Sequence, residues 1–328
     1  MYDRQSNRSN NRSRRPAYNA PPPKRPIPSW LIAWGVGSTS LGIFTYFYFQ
    51  EEVPYTKRKR LLATSPEWER QQGDMAYQQL LQVYRGNILP RDHRASRTVQ
   101  RVGSRIATAA TKIAAENKQT FGSKVTFTVV RSDQANAFVL PNNHVFVLTG
   151  LFKYVKDEDE LAAVLGHEMA HNLARHAGER ASGGMLTSLL ARLTYLIDPS
   201  GMLYMIFVPS VNLLYDLPHS RDHEIEADYI GLNLAAEACY DPRAAKRVFA
   251  AMKHGNGNGR LSNMTEFIST HPSYDTRLDK FDEWMPKALN TFNADGGYRC
   301  QKIRQDMMLA RQHAAAVAYS KEHGKGRK

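Results

Sequence analysis

From Asp157 to Arg180 the chain reads DEDELAAVLGHEMAHNLARHAGER. Leu161, Val164, Leu165, Met169 and Leu173 fall on one side at 3.6 residues per turn, and Asp157 is placed to cap the N-terminus. The same spacing predicts two earlier helices. Ser65–Leu89 is opened by Ser65-Pro66-Glu67, and Arg94–Asn117 carries Val99, Val102, Ile106, Ala109 and Ile113 on one face. Between these helices and Asp157 the period changes to two. Lys124–Val130 alternates, with Val125, Phe127 and Val129 to one side. Asn136–Leu140 and His144–Thr149 read as two further strands joined at Pro141-Asn142-Asn143. A small sheet therefore precedes the helix that starts after Asp157.

Two stretches are apolar without period. Ser29–Gln50, SWLIAWGVGSTSLGIFTYFYFQ, contains no charge and is long enough to cross about 30 Å of hydrocarbon. Trp30 and Trp34 at one end, and Tyr46 and Tyr48 at the other, suit membrane interfaces. A basic stretch precedes it and the Lys57–Arg60 cluster follows, which favours a transmembrane helix over a buried core helix. It lies too far from the N-terminus, and is too long, for a typical signal peptide. The N-terminal flank carries more positive charge, so residues 1–28 are expected on the cytoplasm-like side and the main domain across the membrane. The second stretch, Met185–Leu217, is interrupted by Asp198-Pro199-Ser200-Gly201 and by Pro209. Neither half is long enough to span. It reads as a helical hairpin, either buried in a core or dipping into the bilayer surface.

The formal charge of +13 over 328 residues changes this picture little, because it is uneven: residues 1–25 hold seven Lys/Arg against one Asp. The remainder is mildly basic, and nucleic acid is not an implied partner. Residues 1–28 lack apolar pattern and read as a disordered basic tail; their Arg- and Ser-rich, acid-poor composition also fits mitochondrial targeting. Cys239 and Cys300, the two cysteines, match no zinc spacing. They are either two thiols or one disulfide, and a disulfide suits a domain outside the reducing compartment.

The chemistry concentrates on the helix after Asp157. His167 and His171 are four apart and point the same way, with Glu168 between them. In His-Glu-x-x-His, two imidazoles hold zinc and the glutamate takes a proton from the metal's water. A catalytic zinc needs a third protein ligand. HSRDHEIEADYI, residues 219–230, offers Glu224, with Asp228 four residues on to orient a ligating histidine; Glu226 is the rival carboxylate.

GHEMAH, EIEADYIG and STHPSYDTR together resemble the HtpX and CaaX-prenyl-protease family of membrane zinc metallopeptidases. NAFVLPNNHVFVLTGLF also fits, with Asn142 and Asn143 where the family's turn usually carries glycine. HNLARH, MPKALN and the N-terminal apolar segment look most similar to its mitochondrial inner-membrane, Oma-type branch. The resemblance covers roughly residues 65–292. It implies His167, His171 and Glu224 as ligands to one Zn²⁺ per chain, Glu168 as general base, and an edge strand at Asn136, Ala137 and Phe138 that pairs with an extended substrate. For His271 it leaves a structural cap, an oxyanion stabiliser or a further metal ligand open. Arg277 is expected to hold that loop through a salt bridge or hydrogen bonds.

The expected fold is α+β, mainly helical: a zincin-like (gluzincin) metallopeptidase domain with a small β-sheet and one N-terminal transmembrane helix. Its parts are a tail over 1–28, a membrane helix over 29–50, the metallopeptidase domain over 51–300 with the apolar hairpin 185–217, and a basic C-terminal helix or tail over 301–328. The expected activity is endopeptidase cleavage of membrane proteins near the bilayer, in quality control or stress response. The expected location is the mitochondrial inner membrane, single-pass, with the protease domain facing the intermembrane space. A homo-oligomer is compatible with the sequence. A catalytically silent, metal-stabilised membrane scaffold and a hydrolase of small solutes are the alternatives; intact ligands and Glu168 argue against the first, the edge strand against the second.

Overall fold

The computed structural model describes residues 28–29, 36–37, 40, 44, 46–53, 55–119, 121–122, 124–211, 217–255 and 274–323. The chain divides into two units, Met1–Tyr48 and Phe49–Lys328. In the first, the described residues of the apolar segment are mainly helical, and Val36, Phe44, Phe47 and Tyr48 are exposed. Among the described residues no helix is long and apolar enough to cross a membrane. Much of 29–50 lies outside them, and Gln50 already begins a strand.

The second unit opens with a hairpin that the sequence pattern does not reveal: β1, Gln50–Glu52, antiparallel to β2, Lys59–Leu61. The Lys57–Arg60 cluster, read from sequence as a membrane flank, is partly consumed here. Arg60 is buried and donates to the carbonyl of Ala174, and Arg58 pairs with two buried carboxylates. The helix-terminating carbonyl of Ala174 and the two buried acids need donors, and these arginines supply them.

Helix α1, Pro66–Val83, is capped by Ser65 and stops short of the expected Leu89, because Tyr84 leaves helical geometry and Gly86 follows at φ 86°. Helix α2, Arg94–Glu116, buries Val99, Val102, Ile106 and Ala109 as its periodicity requires. Strands β3, Thr126–Val130, β4, Ala137–Val139, and β5, His144–Leu148, form one sheet in the order β3-β5-β4. β3 runs parallel to β5 and β4 antiparallel to it, with Phe138 opposite Phe146. The β4–β5 turn places Asn143 at φ 64°, a left-handed conformation that asparagine tolerates.

Helix α3, Glu158–Leu173, is capped by Asp157, whose carboxylate accepts from the Glu160 amide. It is buried on almost every side, between α2, β4 and α6, Leu217–Glu237. The closest approach is glycine against glycine. A Cβ on Gly231 would lie 2.7 Å from the His167 amide nitrogen, and one on Gly166 would lie 2.9 Å from the Gly231 carbonyl. That contact sets α6 directly against α3.

Helices α4, His176–Ile197, and α5, Met202–Val211, form the apolar hairpin, turned at Gly201. Its start is buried, at His176, Glu179 and Ser182, but beyond Met185 it is largely exposed, with Leu189, Leu193, Leu196, Met202, Met205 and Ile206 at the surface. Helices α7, Arg243–Gly255, α8, Tyr274–Phe292, and α9, Tyr298–His323, close the domain. Cys239 and Cys300, 61 residues apart, form a disulfide with Cα atoms 5.0 Å apart, joining the end of α6 to the start of α9. Both are buried.

Candidate metal centre

One turn of α3 places His167 and His171 side by side, and the glycine crossing brings Glu224 of α6 over them. His167 Nε2 lies 3.2 Å from His171 Nε2, and Glu224 reaches the two with separate oxygens at 3.4 Å each. All three are buried, and together they form a group able to hold a metal ion. A tetrahedral zinc with bonds of about 2.0–2.1 Å needs ligand atoms about 3.3–3.4 Å apart, and the closest approaches within this group lie near that spacing, the two to Glu224 through different oxygens. Two imidazole nitrogens and a carboxylate at these distances repel one another unless a proton or a cation lies between them. The donor set therefore fits zinc.

Behind the triangle the charges are arranged to hold the ligands. Asp228 Oδ1 is 2.9 Å from His167 Nδ1, a contact that keeps a proton on Nδ1 and so leaves Nε2 as the nitrogen that would face a metal. Arg277 grips Asp228 with Nε at 2.5 Å and Nη2 at 2.8 Å, and its Nη1 lies 3.3 Å from Glu224. Burial alone would raise the Asp228 carboxyl, but Arg277 and His167 hold it below its ordinary value. Burial likewise works to lower His167, yet Asp228 and Glu224 push it up to about 9, the mark of a site whose field attracts positive charge. Glu168 is buried on the same helix. Arg277, expected from sequence to make salt bridges or hydrogen bonds, has Asp228 and Glu224 among its partners; His271 and the loop around it lie outside the described residues.

The two candidate carboxylates separate cleanly. Glu226 is not in the ligand group; its Oε2 lies 2.9 Å from His176 Nε2. His176 Nδ1 in turn lies 2.9 Å from His171 Nδ1. His176 is fully buried, and that burial, helped by His223, drives its pKa well below the usual imidazole range. Sequence reasoning gave His176 no role, because a residue five on from His171 falls on another helix face. The chain brings it back by a break: Arg175 is left-handed at φ 54°, and its guanidinium is fastened to Glu69 at 2.7 Å and the Thr64 carbonyl at 2.9 Å. Gly166 and Gly231 were missed for a similar reason, since a glycine in an apolar helix declares a close contact without naming its partner.

The edge strand lies beside α3. Asn172, next to His171, donates to the Leu140 carbonyl at 3.2 Å and to Asn143. Asn136 and Ala137 are buried, while Phe138 stacks on Phe146 with ring centroids 5.3 Å apart. The Leu148 amide donates to Asn136 and the Leu140 amide to His144, so alternate residues face β5. The backbone groups of Ala137 and Val139 point to the other side, where the sheet has no further strand among the described residues.

Comparison with known proteins agrees with this site. Residues 94–285 match the profile of Peptidase family M48. The chain is 38% identical over 259 residues to the mitochondrial metalloendopeptidase OMA1 of Schizosaccharomyces pombe, covering 79% of this chain and 71% of the relative. It is 32% identical over 258 residues to the protein of the same name from Saccharomyces cerevisiae, covering 77% and 73%. With the mitochondrial metalloendopeptidase OMA1 of Bos taurus it shares 31% over 280 residues, 79% of this chain and 51% of that one.

Proposed function

The chain belongs to peptidase family M48, and from that membership we propose a zinc-dependent endopeptidase, anchored in the mitochondrial inner membrane, that cuts membrane proteins close to the bilayer. It is a metalloendopeptidase, as its relatives are named, and the silent-scaffold alternative is not favoured. One observation carries the proposal: Glu224 converges on His167 and His171 as a buried group able to hold a metal ion, and those two histidines share their helix with Glu168.

One zinc per chain would act there as a Lewis acid toward the scissile carbonyl and would lower the pKa of a water. Glu168 accepts the proton of the attacking water and later delivers it to the leaving amine. Asp228 keeps the His167 proton on Nδ1, and Arg277 neutralises Asp228. An extended substrate adds to β4, with the outward amide and carbonyl of partly exposed Val139 fixing its register beside the site. For His271 we propose one of the functional readings that the sequence leaves open: a further metal ligand that gates the site, or an oxyanion stabiliser. His271→Ala then changes basal cleavage, upward for a gate and downward for a stabiliser; unchanged kinetics over several substrates leave a structural cap.

Three features support the membrane setting. The relatives are mitochondrial by name. Residues 29–50 carry no charge. From Met185 to Ile206 the α4–α5 hairpin exposes many large apolar side chains, which suits the surface of a bilayer better than water. The test is the full chain in liposomes with a single-pass membrane protein. Cleavage at a bond within a few residues of the bilayer, lost when the same segment is offered as a free soluble peptide, is expected. Preference for the free peptide would contradict it.

A further inference from the structure

We infer that His176 and Glu226 form a relay that positions the metal ligand His171 and fixes its protonation. The inference rests on the zinc reading above and deepens it.

A histidine that offers Nε2 to a metal must carry its proton on Nδ1, so the group behind it must accept. Behind His167 that group is a carboxylate, Asp228. Behind His171, at 2.9 Å from Nδ1, is a second imidazole nitrogen, His176 Nδ1. An imidazole accepts there only in one tautomer, with its own proton on Nε2. Glu226 sets that tautomer: its Oε2 is 2.9 Å from His176 Nε2, and a carboxylate can only accept. The opposite tautomer would point an N–H at His171, move the His171 proton to Nε2 and block the lone pair that the metal needs.

The relay is itself held from outside. Arg58 donates to Glu226 Oε2 through Nε at 3.1 Å and Nη2 at 2.8 Å, and Thr56 donates to Glu226 Oε1. The same guanidinium grips Glu179 with two bonds of 2.7 Å. Glu179 lies 3.1 Å from His223 Nε2, and the His223 ring stacks on His176 at 4.3 Å. His176, His223, Glu179 and Glu226 are all buried. Both metal histidines are thus backed by a carboxylate of α6, His167 directly and His171 through one intervening ring. Glu226 and Asp228 are positioning residues.

His176→Phe and His176→Gln decide the point. Phenylalanine fills the ring volume and keeps the stack on His223 but offers no nitrogen. Glutamine can accept from His171 and donate to Glu226. Zinc affinity by chelator competition is expected to fall about 10–100-fold in His176→Phe and to recover in large part in His176→Gln. The ligand-field absorption of the cobalt-substituted protein should shift in the first and return towards wild type in the second, with kcat falling more than KM changes. Glu226→Gln, which keeps the shape and Arg58 as a neighbour, is expected to weaken zinc about tenfold and serves if the Phe variant does not fold. Wild-type affinity and an unchanged cobalt spectrum in both His176→Phe and Glu226→Gln would overturn the relay alone. Failure of the wild type to bind zinc at all would overturn the metal reading and the relay with it.

Discussion

Two glutamates two residues apart do different work because a helix turns about 200° between them. Glu224 faces His167 and His171; Glu226 faces His176. Glu224→Ala should therefore lose zinc on purification, and Glu226→Ala should retain it at near-stoichiometric level when zinc is supplied in excess, although bound less tightly. Metal analysis of the two variants checks this, and equal retention would mean that the wrong carboxylate has been assigned. The spacing Glu-x-x-x-Asp already suggested the choice in the sequence. The role of Glu226 was not legible, since it depends on a left-handed Arg175 that no pattern announces. His144 gives a second residue-scale expectation. Burial lowers its pKa to about 4, and its ring sits between Thr126 and Thr128, 2.5 Å and 2.8 Å from their hydroxyls. The unfolded chain, with a value of about 6.5, takes the proton first, so the folded state loses stability as pH falls from about 6.5 towards 4. The drop in melting temperature over that window should be smaller in His144→Gln than in wild type. Parallel curves would show that His144 does not contribute.

Helices are placed here by what they lack as much as by what they carry. The α3–α6 crossing needs bare backbone at Gly166 and Gly231. Gly231→Ala forces a methyl group against the His167 amide and should cost about 1–3 kcal/mol in denaturant unfolding while weakening zinc binding. Wild-type stability and affinity would show that the crossing relaxes freely. Periodicity found α1, α2, α3 and the three strands of the sheet with ends shifted by a few residues. It did not find β1 and β2, whose three-residue strands are too short to show alternation and whose arginines look like a membrane flank until their buried partners, Glu179, Glu226 and the Ala174 carbonyl, are seen. The hairpin of α4 and α5 was legible as a hairpin, but its environment was not, because an apolar run reads the same in a core and at a bilayer. Its exposed residues between Met185 and Ile206 fit a bilayer surface better than a core. Leu196→Glu with Met205→Glu should then lower cleavage of a liposome-embedded substrate by the full chain while its zinc content and melting temperature stay at wild-type values.

For the whole molecule, the disulfide links the C-terminal helix to the end of the helix that supplies Glu224. Closing a loop of 61 residues contributes about 4 kcal/mol in the chain-entropy model, a large share of typical domain stability. Reductant should lower the melting temperature of wild type and leave a Cys239→Ser, Cys300→Ser variant unmoved; identical melting of wild type with and without reductant would remove the bridge from the account. The central claim is that this M48 chain hydrolyses peptide bonds with a metal held by His167, His171 and Glu224 and a proton carried by Glu168. It is tested most directly by measuring zinc content and cleavage of a membrane-protein substrate in the same preparations of wild type and Glu168→Gln. One zinc per chain is expected in both, with a rate in the variant lower by about 10²–10⁴-fold or more. Near-wild-type cleavage by a zinc-loaded Glu168→Gln enzyme, or an active wild type without zinc, would contradict it.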